Sequence, residues 1–409
     1  MNSFFMLNTS PIKYFKGTHR IKNPEKTLEE YEDKLKIAGI TRVTDITDLD
    51  RVGIPVFSAI RPTAQSGGVS IYAGKGITKT QAKASAIMEG FERYSAEKQN
   101  TDKNKIGTIK EMENPIDLNT LILPQDTDKE QLPLDKFEWS EMTELNTKEK
   151  YDVPSNFIYH PYVLENNELT AIIKGNTNGL ASGNNMEEAI LHGIFEVIER
   201  DAWSIFEITK KNKKEIDIET IKNKTIKETI EKFEKENIKI KLFDITADIQ
   251  IPTILASSDD TLLKDAALLS IGVGTHLNPE IAVLRALTEV AQSRATQIHG
   301  TREDTSRADF MRKAGYDRMK KINKIYFEES SKKIKLEDIE DKSSENIKTD
   351  IETCLKELKN NKLEKVLMKD LTREETKVNV VRIIIPKAEL YALDPTRRGE
   401  RSIQYDKNN

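Results

Sequence analysis

The sequence Asn178-Gly-Leu-Ala-Ser-Gly-Asn184 runs almost directly into the stretch from Met186 to Phe206, and together they decide the fold. Glycine and asparagine adopt turn conformations at low cost, so the first part predicts a tight turn. In the second part apolar residues recur three and four positions apart, which predicts a helix with one buried stripe. That stripe consists of Ile190, Leu191, Ile194, Val197 and Ile198.

The same predicted helix carries a row of polar residues. Glu188, His192, Glu196 and Glu199 share one face, because residues three or four apart are neighbours on a helix. A solvated face is the simplest interpretation in a chain with 32% charged residues. The glycine-rich turn before the helix and the recurrence of the pattern elsewhere in the chain favour a functional face instead.

The pattern recurs twice. Upstream, between Gly74 and Tyr94, three residues share a face and an arginine follows; these are Ser85, Glu89, Glu92 and Arg93. Downstream, between Asn278 and Arg294, the same spacing is occupied by Arg285, Glu289 and Gln292. Alanines such as Ala82, Ala86 and Ala286 lie in the same segments and allow close packing of the backbone. Three helices with polar faces are therefore predicted.

If these faces converge, their carboxylates require cations. Like charges about 4 Å apart repel by roughly 4 kcal/mol at an effective dielectric constant near 20. Oxygen ligands without cysteine and with at most one histidine favour magnesium, which commonly also holds phosphate. The convergent faces therefore predict a nucleotide site, with Arg93, Arg200 and Arg294 available for phosphate oxygens. No Gly-x-x-x-x-Gly-Lys-Ser/Thr loop competes with this interpretation.

These residues carry a resemblance to a known family. The motifs are Ser85-x3-Glu89-x2-Glu92-Arg93, Asn178-Gly-x-Ala-x-Gly-x4-Glu188-Ala-x6-Glu196-x2-Glu199-Arg200-Asp201, and Glu289-x2-Gln292-x-Arg294. In order and spacing they resemble the three ATP-binding blocks of the YcaO family, over roughly residues 50 to 325. The resemblance implies the YcaO fold, an α/β (α+β) architecture of repeated strand-turn-helix units around a central nucleotide and metal site. It also implies ATP and Mg²⁺ as cofactors and peptide backbone amides as substrates.

The site residues follow from this resemblance and from their chemistry. The predicted metal ligands are Glu89, Glu92, Glu196, Glu199, Glu289 and Gln292. The predicted nucleotide-binding residues are Ser85, Asn184, Glu188, Arg200, Arg294, Arg93 and, in the N-terminal segment, Arg20, although Arg20 is also compatible with an ordinary surface loop. No catalytic base is assigned. Arg200 and His192 are the weak candidates for a catalytic role, and a structural histidine is the simpler interpretation of His192.

Composition excludes several other classes of protein. The chain has 409 residues, enough for a sizeable core, and its net charge of −4 gives no reason to expect nucleic acid as a partner. A single cysteine, Cys354, excludes an internal disulfide framework and a cysteine-based zinc site. Neither a signal peptide nor a membrane span is predicted, so the expected location is cytoplasmic.

The chain is expected to divide into three parts. Residues 1–50 form an N-terminal segment, residues 51–325 the catalytic core, and residues 326–409 a charged helical region, a final strand and a polar tail. Residues 101–151 are expected to be a peripheral insertion in the core. Phe157 to Leu164 and Thr170 to Lys174 are predicted to pair as a hairpin with its turn at Asn166-Asn167.

The C-terminal sequence helps to choose among the family's activities. Azoline-forming members commonly end in a proline-rich segment that reaches the active site, whereas here the last prolines are Pro386 and Pro395. The chain is more similar to stand-alone archaeal members linked to backbone thioamidation, including thioglycine formation in methyl-coenzyme M reductase of methanogens. The implied reaction uses external sulfide, and ATP activates the amide oxygen. Cys354 lies outside the three motifs and is not assigned as a sulfur carrier.

The implied partners are a peptide or protein substrate, which for this reaction is the α subunit of methyl-coenzyme M reductase, a sulfide donor, a TfuA protein and a second copy of the chain in a homodimer. Two alternative functions stay open. One is an azoline-forming cyclodehydratase. The other is a non-catalytic ATP-binding protein that supports the assembly of another factor.

Overall fold

A computed structural model describes residues 7–164, 166, 168–211, 213–300 and 307–408. The chain is 38% helical and 20% strand, which confirms the predicted α+β class. The helices are α1 (Pro24–Tyr31), α2 (Lys79–Ala96), α3 (Met186–Thr209), α4 (Lys224–Lys235), α5 (Pro279–His299), α6 (Arg307–Ala314), α7 (Tyr316–Ile322), α8 (Lys324–Phe327), α9 (Ile347–Asn360) and α10 (Glu400–Asn408). No helix within the described ranges has the length and apolar character that a lipid bilayer requires.

The strands form four sheets. They are β1 (Lys13–Phe15), β2 (Thr18–Arg20), β3 (Arg42–Asp45), β4 (Val56–Ile60), β5 (Ile71–Lys75), β6 (Lys105–Gly107), β7 (Phe137–Glu144), β8 (Lys150–Pro154), β9 (Leu180–Gly183), β10 (Lys214–Ile216), β11 (Ile238–Asp244), β12 (Thr253–Asp260), β13 (Ser270–Thr275), β14 (Lys333–Ile334), β15 (Leu367–Asp370) and β16 (Asn379–Ile384). The sheet orders are β1-β2, β3-β4-β5, β6-β7-β15-β16-β9 with β8 also paired to β7, and β13-β12-β11-β10-β14. Strands β5, β9 and β13 therefore each end their own sheet.

Each of these three end strands leads into one of the polar-faced helices. The strand before α3 was not predicted at this place, because residues 178–184 were expected to form a turn. A short turn joins β5 to α2, β9 to α3 and β13 to α5. The residue before each helix is an N-cap whose side chain accepts a hydrogen bond from a backbone N–H of the first turn; these caps are Thr78, Asn185 and Asn278. The repeated strand-turn-helix unit is thus present three times.

A glycine lets each helix lie directly on its own strand. A Cβ added to Gly74 would lie 2.0 Å from the backbone nitrogen of Ala86 on α2. A Cβ on Gly183 would lie 2.4 Å from the nitrogen of Ala189 on α3. On β13 a Cβ at Gly272 would lie 2.3 Å from a backbone oxygen of α5. The close approach brings the polar faces of the helices near the edges of the sheets.

The predicted turn at residues 178–184 is mostly a strand. Leu180–Gly183 forms β9, which pairs antiparallel with β16. Within the quoted stretch only Gly179 has a positive φ, of 75°. Gly183 is needed for close packing against α3 instead of for a turn, which explains how a glycine-rich segment can be extended.

The segment 101–151 is not peripheral. Strands β6 and β7 pair with each other, and β7 also pairs with β15 of the six-stranded sheet. Phe137 and Trp139 on β7 are completely buried. The hairpin predicted from Phe157 to Lys174 is also wrong, because the described residues there form no strand and Asn167 lies outside them. Ile158 and Tyr159 are buried side chains of an irregular segment.

The C-terminal region is folded onto the core. Helix α9 buries Ile351, Cys354 and Leu358 against α3, so the charged stretch after Lys320 is only partly exposed. Strands β15 and β16 belong to the same sheet as β9, which means that the predicted boundary at residue 325 does not separate two sheets. The expected polar tail forms α10, and Arg401 pairs with Asp201 on α3 at 2.8 Å.

Arg294 is a buried structural residue, contrary to its predicted contact with phosphate. Its side chain is fully buried and donates to both carboxylate oxygens of Asp50, with Nε 2.8 Å from Oδ2. Its Nη2 is also 3.2 Å from a carboxylate oxygen of Asp260. Arg294 stands two residues after Gln292, so the helix turns it by about 200° away from the polar face and into the core.

We expect Arg294→Met to destabilise the fold and to leave nucleotide affinity unchanged. Removing one partner of a buried ion pair costs about 3–5 kcal/mol, because Asp50 would remain buried without its cation. Urea unfolding measures this loss, and calorimetry with an ATP analogue measures the affinity. Arg312→Met is the matched control, since Arg312 is 43% exposed and pairs with Asp265 at the surface. Weakened nucleotide binding in a variant of unchanged stability would contradict the structural role.

Candidate active site

The polar faces of α2, α3 and α5 meet around one cavity of about 600 Å³. Every site residue predicted from the sequence lines it, apart from Arg294. These lining residues are Arg20, Ser85, Glu89, Glu92, Arg93, Asn184, Glu188, His192, Glu196, Glu199, Arg200, Glu289 and Gln292. The acidic residues that are scattered through the sequence thus share one site.

The three helices use equivalent positions to form the cavity wall. Six residues after the first residue of each helix stand Ser85, His192 and Arg285. Ten residues after it stand Glu89, Glu196 and Glu289, and thirteen residues after it stand Glu92, Glu199 and Gln292. The site is therefore built from three copies of one local arrangement.

The residues that stand thirteen places after the first residue of each helix join the three units into a closed ring. Glu92 on α2 accepts a hydrogen bond from the backbone nitrogen of Ser182 on β9 at 3.2 Å. Glu199 on α3 accepts one from Thr275 on β13 at 3.0 Å. Gln292 on α5 donates its amide to the backbone oxygen of Ala73 on β5. Each helix is thereby attached to the edge strand of another unit.

Basic side chains lie between the carboxylates. Arg93 is 3.3 Å from Glu89 and 4.0 Å from Glu92, and Arg200 is 3.6 Å from Glu199. Both arginines retain buried N–H groups that have no hydrogen-bond partner among the described residues, namely Nε and Nη1 of Arg93 and Nε of Arg200. Buried donors are normally paired, and phosphate oxygens are suitable acceptors for guanidinium groups. The two arginines therefore fit an anionic ligand.

Lys75 is a site residue that the sequence did not single out. It stands at the end of β5 and lies 2.6 Å from Glu289 across the cavity. No local motif marks it, because the contact joins a strand to a helix more than 200 residues away. Thr296 and Gln297 on α5 also line the cavity and were missed. Helical periodicity counted from Glu289 could have found those two.

Burial shifts the ionisation of the acidic residues. It raises the pKa of Glu92 to about 8 and that of Glu199 to about 7, and it raises the pKa of Glu196 as well. For Glu289, burial is opposed mainly by Lys75 and Arg200, so its pKa is lowered. Near neutral pH the cavity therefore contains both ionised and protonated carboxyl groups.

The carboxylates do not form a single preformed metal cage. Among the residues that the structure describes, no three aspartate, glutamate, histidine or cysteine side chains are arranged to hold one ion. Mg²⁺ is usually bound by one or two carboxylates, with water and substrate phosphate completing its coordination. Carboxylates separated by arginines fit that mode of binding, in which metal and phosphate arrive together.

Glu188 fastens the N-terminal segment to the site. It accepts hydrogen bonds from the backbone nitrogen of Ile21 at 3.0 Å and from the amide of Asn184 at 2.9 Å. Arg20 lies 3.7 Å from the same carboxylate, and the hydroxyl group of Thr27 donates to Asn184 at 2.8 Å. Residues from strand β2 and helix α1 thus complete one side of the cavity.

His192 and Cys354 have different environments. Burial, with Arg20 and Arg285 nearby, lowers the pKa of His192 well below its ordinary value, so its ring is neutral. Its Nε2 is 3.5 Å from Arg285. Cys354 is buried in the packing of α9, and burial raises the pKa of its thiol. The thiol is not part of the cavity.

Known proteins are similar to this chain in sequence. Residues 73–389 match the family described as YcaO cyclodehydratase, ATP- and Mg²⁺-binding. An uncharacterised protein of Methanothermobacter thermautotrophicus, a methanogen, is 51% identical over 92% of this chain and 97% of its own length. An uncharacterised protein in the tfuA 3' region of Rhizobium leguminosarum bv. trifolii is 32% identical over 70% of this chain and 69% of its own.

A solved structure is similar over nearly the whole chain. It is the YcaO protein of Methanopyrus kandleri bound with AMPPCP and Mg²⁺, with a TM-score of 0.77 and 27% identity. It covers 95% of this chain and 98% of its own length. The predicted cofactors, ATP and Mg²⁺, are confirmed as those of the family, whose enzymes are ATP-dependent modifiers of peptides. The chain belongs to the YcaO family.

Proposed function

We propose that this protein is an ATP- and Mg²⁺-dependent thioamide synthase that replaces the oxygen of a peptide backbone amide with sulfur. A glycine of the α subunit of methyl-coenzyme M reductase is the proposed target. The observation that carries the proposal is the cavity itself, in which carboxylates of raised pKa stand beside arginines with unpartnered buried N–H groups. This combination suits a nucleotide triphosphate bound together with a metal ion.

The proposed reaction balances without a nucleophile from the protein. Hydrosulfide forms a C–S bond with the amide carbon, and the carbonyl oxygen becomes an oxyanion. The oxyanion takes the γ-phosphoryl group of ATP, and ADP leaves. The C–O bond then breaks, inorganic phosphate leaves with the former amide oxygen, and the sulfur loses its proton to give C=S. Phosphorylation converts a poor leaving group into a good one.

The residues of the cavity divide into two groups in this proposal. Glu89, Glu92, Glu196, Glu199 and Glu289 would hold Mg²⁺, with Gln292 contributing its amide oxygen. Ser85, Asn184, Glu188, Arg20, Arg93 and Arg200 would contact the nucleotide. Bound Mg²⁺ supplies charge neutralisation of the phosphates. Arg93 and Arg200, whose buried N–H groups have no acceptor in the part of the chain that the structure describes, would orient the phosphate chain and stabilise charge on the transferred group.

Two observations support sulfur as the incoming atom. A relative is encoded in a tfuA region, which agrees with the proposed TfuA partner, and another relative comes from a methanogen. Cys354 is completely buried outside the cavity, which supports an external sulfur donor for the proposed reaction. No residue after Gln297 lines the cavity within the described ranges.

An azoline-forming cyclodehydratase is the second candidate, because the family description names that activity. Such an enzyme would use a cysteine, serine or threonine side chain of the substrate as the nucleophile in place of sulfide. Mass spectrometry of a peptide from the proposed target, incubated with the protein, ATP, Mg²⁺ and sulfide, separates the two. A gain of sulfur in place of oxygen supports thioamidation, whereas a loss of water without a gain of sulfur would select the cyclodehydratase.

We expect Glu199→Gln to lower the rate of peptide-dependent ATP hydrolysis by at least about 100-fold. Loss of one preorganised charge in a water-excluded site costs roughly 3 kcal/mol in the transition state. The amide oxygen of glutamine can still accept the hydrogen bond from Thr275, so the fold should persist. Release of inorganic phosphate measures the rate, and Glu352→Gln on the exposed face of α9 is the control. A Glu199→Gln enzyme that consumes ATP at the normal rate would refute the assignment.

Nucleotide binding is expected to release protons and to strengthen with pH. Burial raises the pKa of Glu92 to about 8 and that of Glu199 to about 7, above the ordinary glutamate value of 4.5, so the ligand-free protein holds protons that an unfolded chain has lost. The stability of the ligand-free protein contributed by these groups therefore falls as pH rises from about 4.5 to about 8. Metal binding requires the ionised forms and must displace these protons.

Calorimetry with AMPPCP and Mg²⁺, in buffers of different ionisation enthalpy, measures this linkage. We expect net proton release at about pH 7 and tighter binding as the pH rises from about 6 to about 8. Glu92→Gln should release fewer protons than the unaltered protein. Proton uptake, or an affinity that is independent of pH over this range, would show that these carboxyl groups do not hold the metal.

A further inference from the structure

Helix α5 departs from the charge pattern of the other two helices. At the thirteenth and fourteenth residues after the first, α2 and α3 each carry an ion pair, Glu92 with Arg93 and Glu199 with Arg200. The equivalent residues of α5 are the uncharged pair Gln292 and Ser293. The α5 arginine nearest to this position comes one residue later, as Arg294, and is buried with Asp50 outside the cavity. The charged pair that α2 and α3 carry at this position is therefore replaced by an uncharged pair in α5.

The uncharged side continues along α5. Ser293, Thr296 and Gln297 all line the cavity and stand three and four residues apart, so they follow one face of the helix. We call these three residues the α5 strip. The Oε1 atom of Gln297 is buried and has no hydrogen-bond partner among the described residues. A buried polar atom without a partner is costly, so this acceptor fits a donor that arrives with a ligand.

The end of the α5 strip lies close to solvent. Ile298, the residue after Gln297, is 38% exposed, and Gly300 ends the helix in an exposed turn. Arg20 and Glu188, which line the same cavity, lie 3.7 Å apart, and Arg20 is partly exposed. The α5 strip therefore ends where its own helix becomes exposed.

The chemistry of the strip suits a neutral peptide. The charged walls on α2 and α3 match the phosphates and the metal, which carry the charge of the reaction. A peptide backbone carries no charge and needs only neutral donors and acceptors. A glutamine side chain ends in the same amide group as the peptide bond and can pair with it through one donor and one acceptor. Two hydroxyl groups, on Ser293 and Thr296, add further neutral partners.

We propose that the α5 strip binds the substrate backbone beside the amide that is modified. Gln297 accepts a hydrogen bond from a backbone N–H of the peptide, and this contact directs the neighbouring carbonyl group toward the charged walls. This inference rests on the proposed function, because it takes a peptide as the substrate. It makes the strip a recognition site for backbone, which suits a glycine target that offers no side chain.

The test measures binding of peptide and nucleotide separately. The probe is a synthetic peptide that spans the proposed target glycine, titrated into protein already loaded with AMPPCP and Mg²⁺. We expect Gln297→Ala to raise the Kd of the peptide about tenfold, the effect of losing one neutral hydrogen bond to a buried group. Thr296→Val should weaken it in the same direction. The Kd of AMPPCP should stay within about twofold in both variants.

Gln131→Ala is the matched control, because Gln131 is exposed and its side-chain amide donates to Asp135 at the surface, away from the cavity. It should leave both Kd values unchanged. The inference is overturned if Gln297→Ala binds the peptide as tightly as the unaltered protein, or if it loses peptide and nucleotide affinity in parallel. AMPPCP cannot transfer its γ-phosphoryl group, so this result does not depend on the reaction. A protein that binds the peptide through Gln297 but adds no sulfur to it would refute only the proposed thioamidation.

Discussion

The structure depends on three side chains that attach each polar-faced helix to the edge strand of another unit. Glu92, Glu199 and Gln292 occupy the same position in their helices and bond to backbone groups of β9, β13 and β5. Two of the three are carboxylates whose pKa burial raises. These contacts, together with the ion pair between Lys75 and Glu289, link the three units across the cavity. The same side chains thus close the ring and supply charge to its interior.

Because of this double role, the carboxylates that hold the backbone in place are also buried at an electrostatic cost. A buried carboxylate is unfavourable unless it is protonated or paired, and here backbone N–H groups, arginines and Lys75 compensate only in part. The remaining cost is relieved when a cation and an anionic ligand bind together. Binding of metal and nucleotide should therefore be cooperative. The cation reduces the repulsion between the carboxylates and the phosphates, and the phosphates reduce the repulsion between the arginines and the cation.

Much of the site could be predicted from the sequence because its geometry is local. The spacing of Glu188, His192, Glu196 and Glu199 is set by the period of one helix, and the same offsets recur in α2 and α5. Lys75 was not predictable in this way, since its partner Glu289 lies in another unit. Arg294 was mispredicted because it belongs to the same sequence motif as Gln292. It lies two residues further along the helix, so its side chain faces the core and not the cavity.

The fold was harder to predict where strands pair over long distances. The stretch 101–151 looks like an insertion because its pairing partner β15 lies more than 200 residues later. The glycines before α3 are equally compatible with a turn and with a strand that a helix approaches closely, and only the pairing with β16 distinguishes these.

The most direct test of this account is to locate the metal. Mn²⁺ can replace Mg²⁺ in crystals of the protein with AMPPCP, and its anomalous scattering identifies its position. The account predicts a manganese peak inside the cavity, bound to phosphate oxygens and to carboxylates from at least two of the helices α2, α3 and α5. A peak outside the cavity, or one held by a single helix with the other two acidic faces turned away, would contradict it.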